Sequence, residues 1–243
     1  MIKILNVNVL DFIKKLEDKS IDLIVTDPPY PVTPRGNAGN SGGMMRKKLS
    51  MQGKIFKHND IKPIEYIPEF YRILKDGSHC YIMTNHVNLI EMLNIATECG
   101  FHFIKSLIWN KGNKIMGQYY MSQFEYILFF RKGKGVKINN CGTPDILNIP
   151  NKKTKGEDGK NLHDTEKPVE LMKILIENSS KEGDLIFEPF MGIGSVPLAC
   201  KELNRNCIAT EIDTKYFDIA KNRLGLKDVV NTKKRKIKVP KRK

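Results

Sequence analysis

Short apolar runs along the chain alternate with stretches whose apolar residues recur every three or four positions. Residues 2–5 and 21–26 read as strands, flanking a helix near 9–17. Residues 63–74 carry helical spacing, and Asp76-Gly77 closes that segment. A strand over 79–84 precedes a helix over 87–98, with Gly100 just past its end. Two further strands are predicted at 101–108 and 124–130. A helix at 167–180, a strand at 184–187, a helix at 195–203, a strand at 207–210 and a helix at 215–224 complete the series. About seven strands alternating with helices, with no internal repeat, place the chain in the α/β class.

Two stretches break the alternation. Residues 31–60 hold Gly36, Gly39, Gly42, Gly43 and Gly53 among Arg35, Arg46, Lys47, Lys48, Lys54 and Lys57. So polar a segment buries little apolar area, and a mobile basic loop is expected there. The pair Met44-Met45 within it has no evident core role. Residues 132–162 are also rich in Lys, Gly and Asn. Neither stretch reads as a domain of its own, so residues 1–226 are expected to form one catalytic domain, followed by a basic tail at 227–243.

Composition adds bounds. With 243 residues and 40% hydrophobic content, the chain can build one sizeable core. No apolar run approaches the roughly 20 residues of a membrane span, and the first residues read as a strand rather than a signal peptide. Cys80, Cys99, Cys141, Cys200 and Cys207 are scattered, which fits reduced thiols and a cytoplasmic setting. None has a histidine at ligand spacing, so no metal site is expected. The formal charge of +14 suggests a polyanionic partner, most simply nucleic acid. Eight of those charges lie between Lys233 and Lys243, where a solvated, disordered end accounts for them equally well.

The candidate chemistry starts at Asp27-Pro28-Pro29-Tyr30, directly after the strand at 21–26. Open α/β sheets keep their ligand sites at the carboxyl ends of strands. Two prolines fix φ and remove two N–H donors, so the turn offers carbonyls without competing amides. With the Asp27 carboxylate and the Tyr30 ring, it forms a socket for a planar group bearing an NH2. A second motif runs from Phe187 through Glu188, Pro189, Phe190, Met191, Gly192, Ile193 and Gly194 to Ser195, between a strand and a helix. Gly192 and Gly194 allow a tight turn and a close approach to a ligand. Glu211, about 20 residues on and at the end of the next strand, is placed to accept hydrogen bonds from ribose hydroxyls. A nucleoside without a phosphate-binding lysine favours S-adenosylmethionine over a nucleotide triphosphate.

Together, Asp27-Pro28-Pro29-Tyr30 and Phe190-x-Gly192-x-Gly194 resemble the S-adenosylmethionine-dependent DNA amino-methyltransferases, the adenine-N6 and cytosine-N4 family. Because the tetrapeptide precedes the glycine loop, the order resembles the family's beta arrangement. The resemblance implies a Rossmann-like, seven-stranded, mostly parallel sheet with helices on both faces, the class I methyltransferase fold, circularly permuted and carrying inserted basic loops. Trp109-Asn110-Lys111 and the run from Glu125 to Gly133 look like the segment around the family's last two strands. The run His163-Asp164-Thr165-Glu166-Lys167-Pro168 resembles its HxTEKP motif, beside the methionine end of the cofactor. Tyr216, Ala220 and Arg223 fit its closing helix. Residues implied to hold S-adenosyl-L-methionine are Asn8, Thr165, Lys167, Phe187, Glu188, Phe190, Gly192, Gly194, Glu211 and Asp213, with S-adenosylhomocysteine as product. The chain departs from the family at Val7-Asn8, where Gly-Asp is frequent, at Glu188, where Asp is usual, and at Ile193, where Ser is common.

The implied reaction is methyl transfer to a flipped adenine N6 amine in double-stranded DNA, with Asp27, Pro28, Pro29 and Tyr30 catalytic and Arg35, Arg46, Lys47, Lys48 and Lys54 on the DNA. Asp at the first position leans toward adenine and Ser toward cytosine. A cytosine-N4 enzyme, an RNA methyltransferase and a non-catalytic DNA-binding module are the alternatives. Target recognition is expected in the short 133–162 interval, which leaves room for a homodimer whose second subunit supplies DNA contacts. A prokaryotic or phage-like restriction-modification setting accompanies the resemblance. Trp109, Phe129 and Phe130 are expected in the core.

Overall fold

The computed structural model describes residues 1–29, 60–115, 119–163 and 165–226. Tyr30, the loop cations Arg35, Arg46, Lys47, Lys48 and Lys54, the Met44-Met45 pair, Asp164 and the tail from 227 lie outside the described residues.

The described elements run in order β1 (Ile2–Asn6), α1 (Val9–Ile13), β2 (Ile21–Thr26), α2 (Pro63–Ile73), β3 (Leu74–Thr84), α3 (Leu89–Glu98), β4 (His102–Ile115), β5 (Ser122–Arg131), β6 (Ile146–Asn148), α4 (Val169–Ser179), β7 (Leu185–Glu188), α5 (Ser195–Glu202), β8 (Asn206–Glu211) and α6 (Thr214–Leu224). The strands form one sheet in the order β1-β8-β7-β2-β3-β5-β4-β6. Its parallel body is β1, β8, β7, β2 and β3, and β5 runs antiparallel between β3 and β4.

Alternation along the strands sorts their side chains onto two faces. Leu23, Val25, Tyr81, Met83, Ile127, Phe129 and Ile186 pack with residues of α4 and α5. Ile21, Ile24, Cys80, Ile82, Leu128, Phe130 and Phe187 pack with α1, α2 and α3. The result is a three-layer sandwich with the sheet in the middle.

Eight strands replace the expected seven. The extra one, β6, has three residues and pairs with the outer edge of β4 from Ile108↔Ile146 to Asn110↔Asn148. Between Pro144 and Pro150 the run is too short to show alternation. β3 begins at Leu74 rather than 79, because Gly77 takes φ +80 and lets the strand continue through the expected turn. α1 stops at Ile13, four residues before the expected end.

Chain order and sheet order together locate the cleft. β7 and β2 are sheet neighbours, yet β7 leads outward to β8 and β2 leads the other way to β3. Ligands bind outside the carboxyl ends of strands at such a switch point. The Asp27 turn and the glycine loop both leave the sheet there.

Candidate active site

Asp27 owes its position to strand phase. On β2, Leu23 and Val25 point into the α4/α5 core, and Asp27 is two positions further on. β5 and β4, beyond β3 in the sheet, repeat the pattern. Phe129 and Ile127 are followed outward by Glu125, and Trp109 by Lys111. Three strands therefore carry apolar side chains to the sheet's edge and a charged one beyond it.

Lys167, from the loop that enters α4, closes this group. Its ammonium hydrogen-bonds Oδ2 of Asp27 and lies 3.3 Å from Oε2 of Glu125. Lys111 Nζ donates to Oε1 of Glu125 at 2.5 Å. The Trp109 ring lies 5.3 Å from the Lys111 ammonium and 6.0 Å from that of Lys167, within cation–π range. Trp109 itself is buried, and its Nε1 donates to the Ile149 carbonyl at 2.8 Å. Asp27, Lys167, Glu125 and Lys111 thus form a row of alternating charge, its two lysines buried and its two carboxylates half-buried. Oδ1 of Asp27 is buried and has no hydrogen-bond partner among the described residues.

Burial pushes the Asp27 carboxyl upward, Lys167 pulls it back, and Glu125 raises it again. Burial opposes the charge on Lys167, but Asp27 and Glu125 outweigh it and raise its pKa. Glu125 is likewise penalised by burial, yet Lys167 and Lys111 hold it below the usual carboxylate range. Lys167 therefore remains charged and compensates the carboxylates beside it.

The glycine loop forms the other wall. Oε1 of Glu188, the last residue of β7, accepts from Thr26 Oγ1 at 2.7 Å and from the Phe190 amide at 2.9 Å. The first bond ties the strand carrying Asp27 to the strand carrying the loop. Burial raises Glu188 to about 8. Gly194 caps α5 at φ +86, where an added Cβ would lie 3.2 Å from Cβ of Ala220. Gly192 adopts φ +52, and its amide donates to Oε2 of Glu211 at 2.9 Å. Oε1 of Glu211 accepts from the Asp213 amide at 2.8 Å. Burial raises the Glu211 carboxyl, against the pull of those amides.

The other expected cofactor residues divide between loop and core. Asp213 caps α6, with Oδ1 accepting from the Lys215 and Tyr216 amides at 2.9 and 3.3 Å. Asn8 caps α1 by accepting from the Leu10 amide at 2.9 Å, just after Val7 bonds the Glu211 carbonyl at 3.1 Å. Phe190 is half-buried against Tyr66 at 5.3 Å, and Phe187 is fully buried against Phe12. Thr165 donates its amide to Nδ1 of His163 at 3.2 Å, which leaves the ring proton on Nε2. That ring packs edge-on against Tyr216 at 4.3 Å and faces Gly192. Burial lowers His163 to about 3 and keeps it neutral. Lys167 turns from this wall to Asp27. Glu125 and Lys111 were named in the sequence only as parts of strand segments, with no role in the site. Their signal was a charged residue in the inward phase of a strand end.

Fold and site together define a class I methyltransferase whose sheet is circularly permuted, with the acid–proline turn ahead of the glycine loop. The family model for DNA methylases of the N6/N4 type matches residues 21–222, and the chain belongs to that family. Among curated relatives, the type II methyltransferase M.HpaI of Haemophilus parainfluenzae is 30% identical over 89% of this chain and 72% of its own length. M.HinfI of Haemophilus influenzae is 29% identical over 91% of this chain and 67% of its own. The solved M1.HpyAVI–SAM complex superposes with a TM-score of 0.68 at 25% identity, covering 92% of this chain and all of that one. The cytosine-N4-specific PvuII DNA methyltransferase shares the fold, with a TM-score of 0.70 at 16% identity over 95% of this chain and 88% of its own.

Proposed function

We propose that this DNA methyltransferase transfers a methyl group from S-adenosyl-L-methionine to the N6 amine of adenine in double-stranded DNA. The observation that carries the reading is the buried, unpartnered Oδ1 of Asp27, followed immediately by Pro28 and its carbonyl. An orphan buried acceptor is costly, and an amine proton relieves that cost.

The residues present fit the cofactor. Glu188 is a buried carboxyl and Glu211 a half-buried one, both with raised pKa values, an environment that favours a cationic ligand and hydroxyl donors. Gly192 and Gly194 give the loop its two left-handed turns, and the half-buried Phe190 offers an aromatic wall. When bound, S-adenosyl-L-methionine supplies a methyl group on a positively charged sulfur and leaves as S-adenosylhomocysteine.

The adenine amine is a poor nucleophile because its lone pair is delocalised into the ring. Asp27 accepts one amine proton and the Pro28 carbonyl the other, which draws electron density onto nitrogen. Acceptors fixed in a buried site need no reorganisation as charge develops. As the new N–C bond forms, nitrogen becomes cationic and passes its surplus proton to Asp27. Lys167 compensates the Asp27 charge before that transfer. The base must leave the duplex stack to reach this turn, and Tyr30, next in sequence, is the residue proposed to stack on it.

Asp at the first position of the tetrapeptide supports adenine over cytosine, and the type II relatives support a restriction-modification setting. Mass spectrometry of nucleosides from unmethylated DNA treated with protein and cofactor tests the assignment. N6-methyladenine is expected. N4-methylcytosine in its place overturns the adenine assignment, and neither product overturns the reading.

A further inference from the structure

Lys153 stands in the segment between β6 and α4. Its Nζ donates to the Glu166 carbonyl at 2.5 Å, between Thr165 and Lys167 in the chain. The next residue is pinned beside it, because the Thr154 amide and Oγ1 donate to the Glu166 carboxylate at 2.7 and 2.8 Å. Arg223 completes the clamp. Its Nη2 lies 2.7 Å from the same carboxylate, and its Nη1 donates to the Ile193 carbonyl of the glycine loop at 3.2 Å. The segment carrying Lys153 is thereby fixed to the wall that holds His163 and Thr165.

Lys153 is half-buried, and among the described residues it forms no ion pair. The other cations of this wall are taken. Lys167 serves Asp27 and Glu125, and Arg223 serves Glu166. Burial and the Lys167 charge lower Lys153 to about 8, and Glu125 and Glu166 offset them only in part. After burial, Lys167 and Lys153 are also the charges that lower His163, whose ring faces Gly192. A half-buried ammonium short of negative charge favours an anionic ligand.

The cofactor brings one anion to this cleft. Its sulfonium sulfur carries three arms. For transfer the methyl must point at the amine held by Asp27, and the ribose lies toward Glu211. The third arm, the amino-acid chain, is left with the wall of His163, Thr165 and Glu166, and it ends in a carboxylate. We propose that Lys153 binds this carboxylate of S-adenosyl-L-methionine. The proposal rests on the cofactor assignment and adds to it the group that recognises the amino-acid arm. A DNA phosphate is the competing anion. Lys153 is bonded inward, to backbone between Thr165 and Lys167, while its neighbour Lys152 is exposed. That placement suits a small ligand inside the cleft better than a polymer at its rim.

The test is calorimetry with two ligands, S-adenosylmethionine and decarboxylated S-adenosylmethionine. The second keeps the sulfonium and the amine but lacks the carboxylate. Wild type is expected to prefer the first by about tenfold to a hundredfold, the range of a hydrogen bond between charged groups. Lys153→Met should lose most of that preference by binding S-adenosylmethionine more weakly, and Lys153→Arg should keep most of it. Equal weakening of both ligands in Lys153→Met overturns the proposal, since a structural defect spares neither. So does a full preference retained in Lys153→Met, or a wild type that shows none. Affinity for unmethylated DNA fragments, measured alongside, should stay at the wild-type value. A loss there with the ligand preference intact overturns the proposal and assigns Lys153 to a phosphate. A wild type that binds neither ligand removes the cofactor assignment as well, whereas every other outcome leaves that assignment standing.

Discussion

The Lys167 ammonium bonds Oδ2 of Asp27, while Oδ1 of the same carboxylate has no partner among the described residues. One oxygen is thus held by the protein and the other is available to an incoming donor. Lys167 is only 7% exposed and also lies 3.3 Å from Glu125, so two carboxylates depend on it.

Replacing Lys167 by Met leaves Asp27 uncompensated and Glu125 with Lys111 alone. Removing one member of a buried pair typically costs about 3–5 kcal/mol, and urea unfolding should show a loss of that order. Asp27 must be ionised to accept the amine proton. Burial already raises its pKa and Lys167 lowers it, so the variant's carboxyl moves further up. The acid limb of the single-turnover pH profile should therefore shift to higher pH. An unshifted limb would separate Lys167 from the charge state of Asp27.

Glu188 gives a stability signature. Burial raises it from an ordinary 4.5 to about 8 in the folded protein. Between those values the folded state keeps the proton and the unfolded state has lost it. Stability from this group is therefore full below about 4.5 and lost as pH rises through about 8. Glu188→Gln should flatten the decline in unfolding free energy across that window in the cofactor-free protein. An unchanged slope would mean that Glu188 titrates normally.

Gly194 combines a left-handed backbone with a close neighbour. At φ +86, an added Cβ would meet Cβ of Ala220 at 3.2 Å. Gly159 has φ +74 but no atom within 4 Å of an added Cβ. Gly159→Ala should cost about 1–2 kcal/mol from backbone strain alone. Gly194→Ala should cost more and weaken S-adenosylmethionine binding, as measured by urea unfolding and calorimetry. Equal losses at the two positions would remove packing against α6 from the account of the loop.

Much of this site was legible in sequence because its parts are local. Asp27-Pro28-Pro29 follows a run of apolar residues, and the Gly192/Gly194 turn sits between a strand and a helix; both are short-range patterns with a backbone cause. Glu211 was legible through its spacing from the glycines. The charged row was not. Lys111 and Glu125 meet because β4 and β5 pair antiparallel with Trp109 opposite Glu125, a register that neither strand specifies alone. Lys167 was placed with the cofactor by its motif, but the loop before α4 carries its ammonium to Asp27. β6 escaped notice because three residues cannot display a period.

The central claim is that the Asp27 carboxylate accepts the target amine's proton and makes its nitrogen nucleophilic. Single-turnover transfer of labelled methyl groups to unmethylated DNA by Asp27→Ala tests it most directly, with cofactor affinity measured in parallel. The account predicts methyl transfer reduced to background, while S-adenosylmethionine still binds through the glycine loop and Glu211. Transfer by Asp27→Ala at the wild-type rate would contradict it.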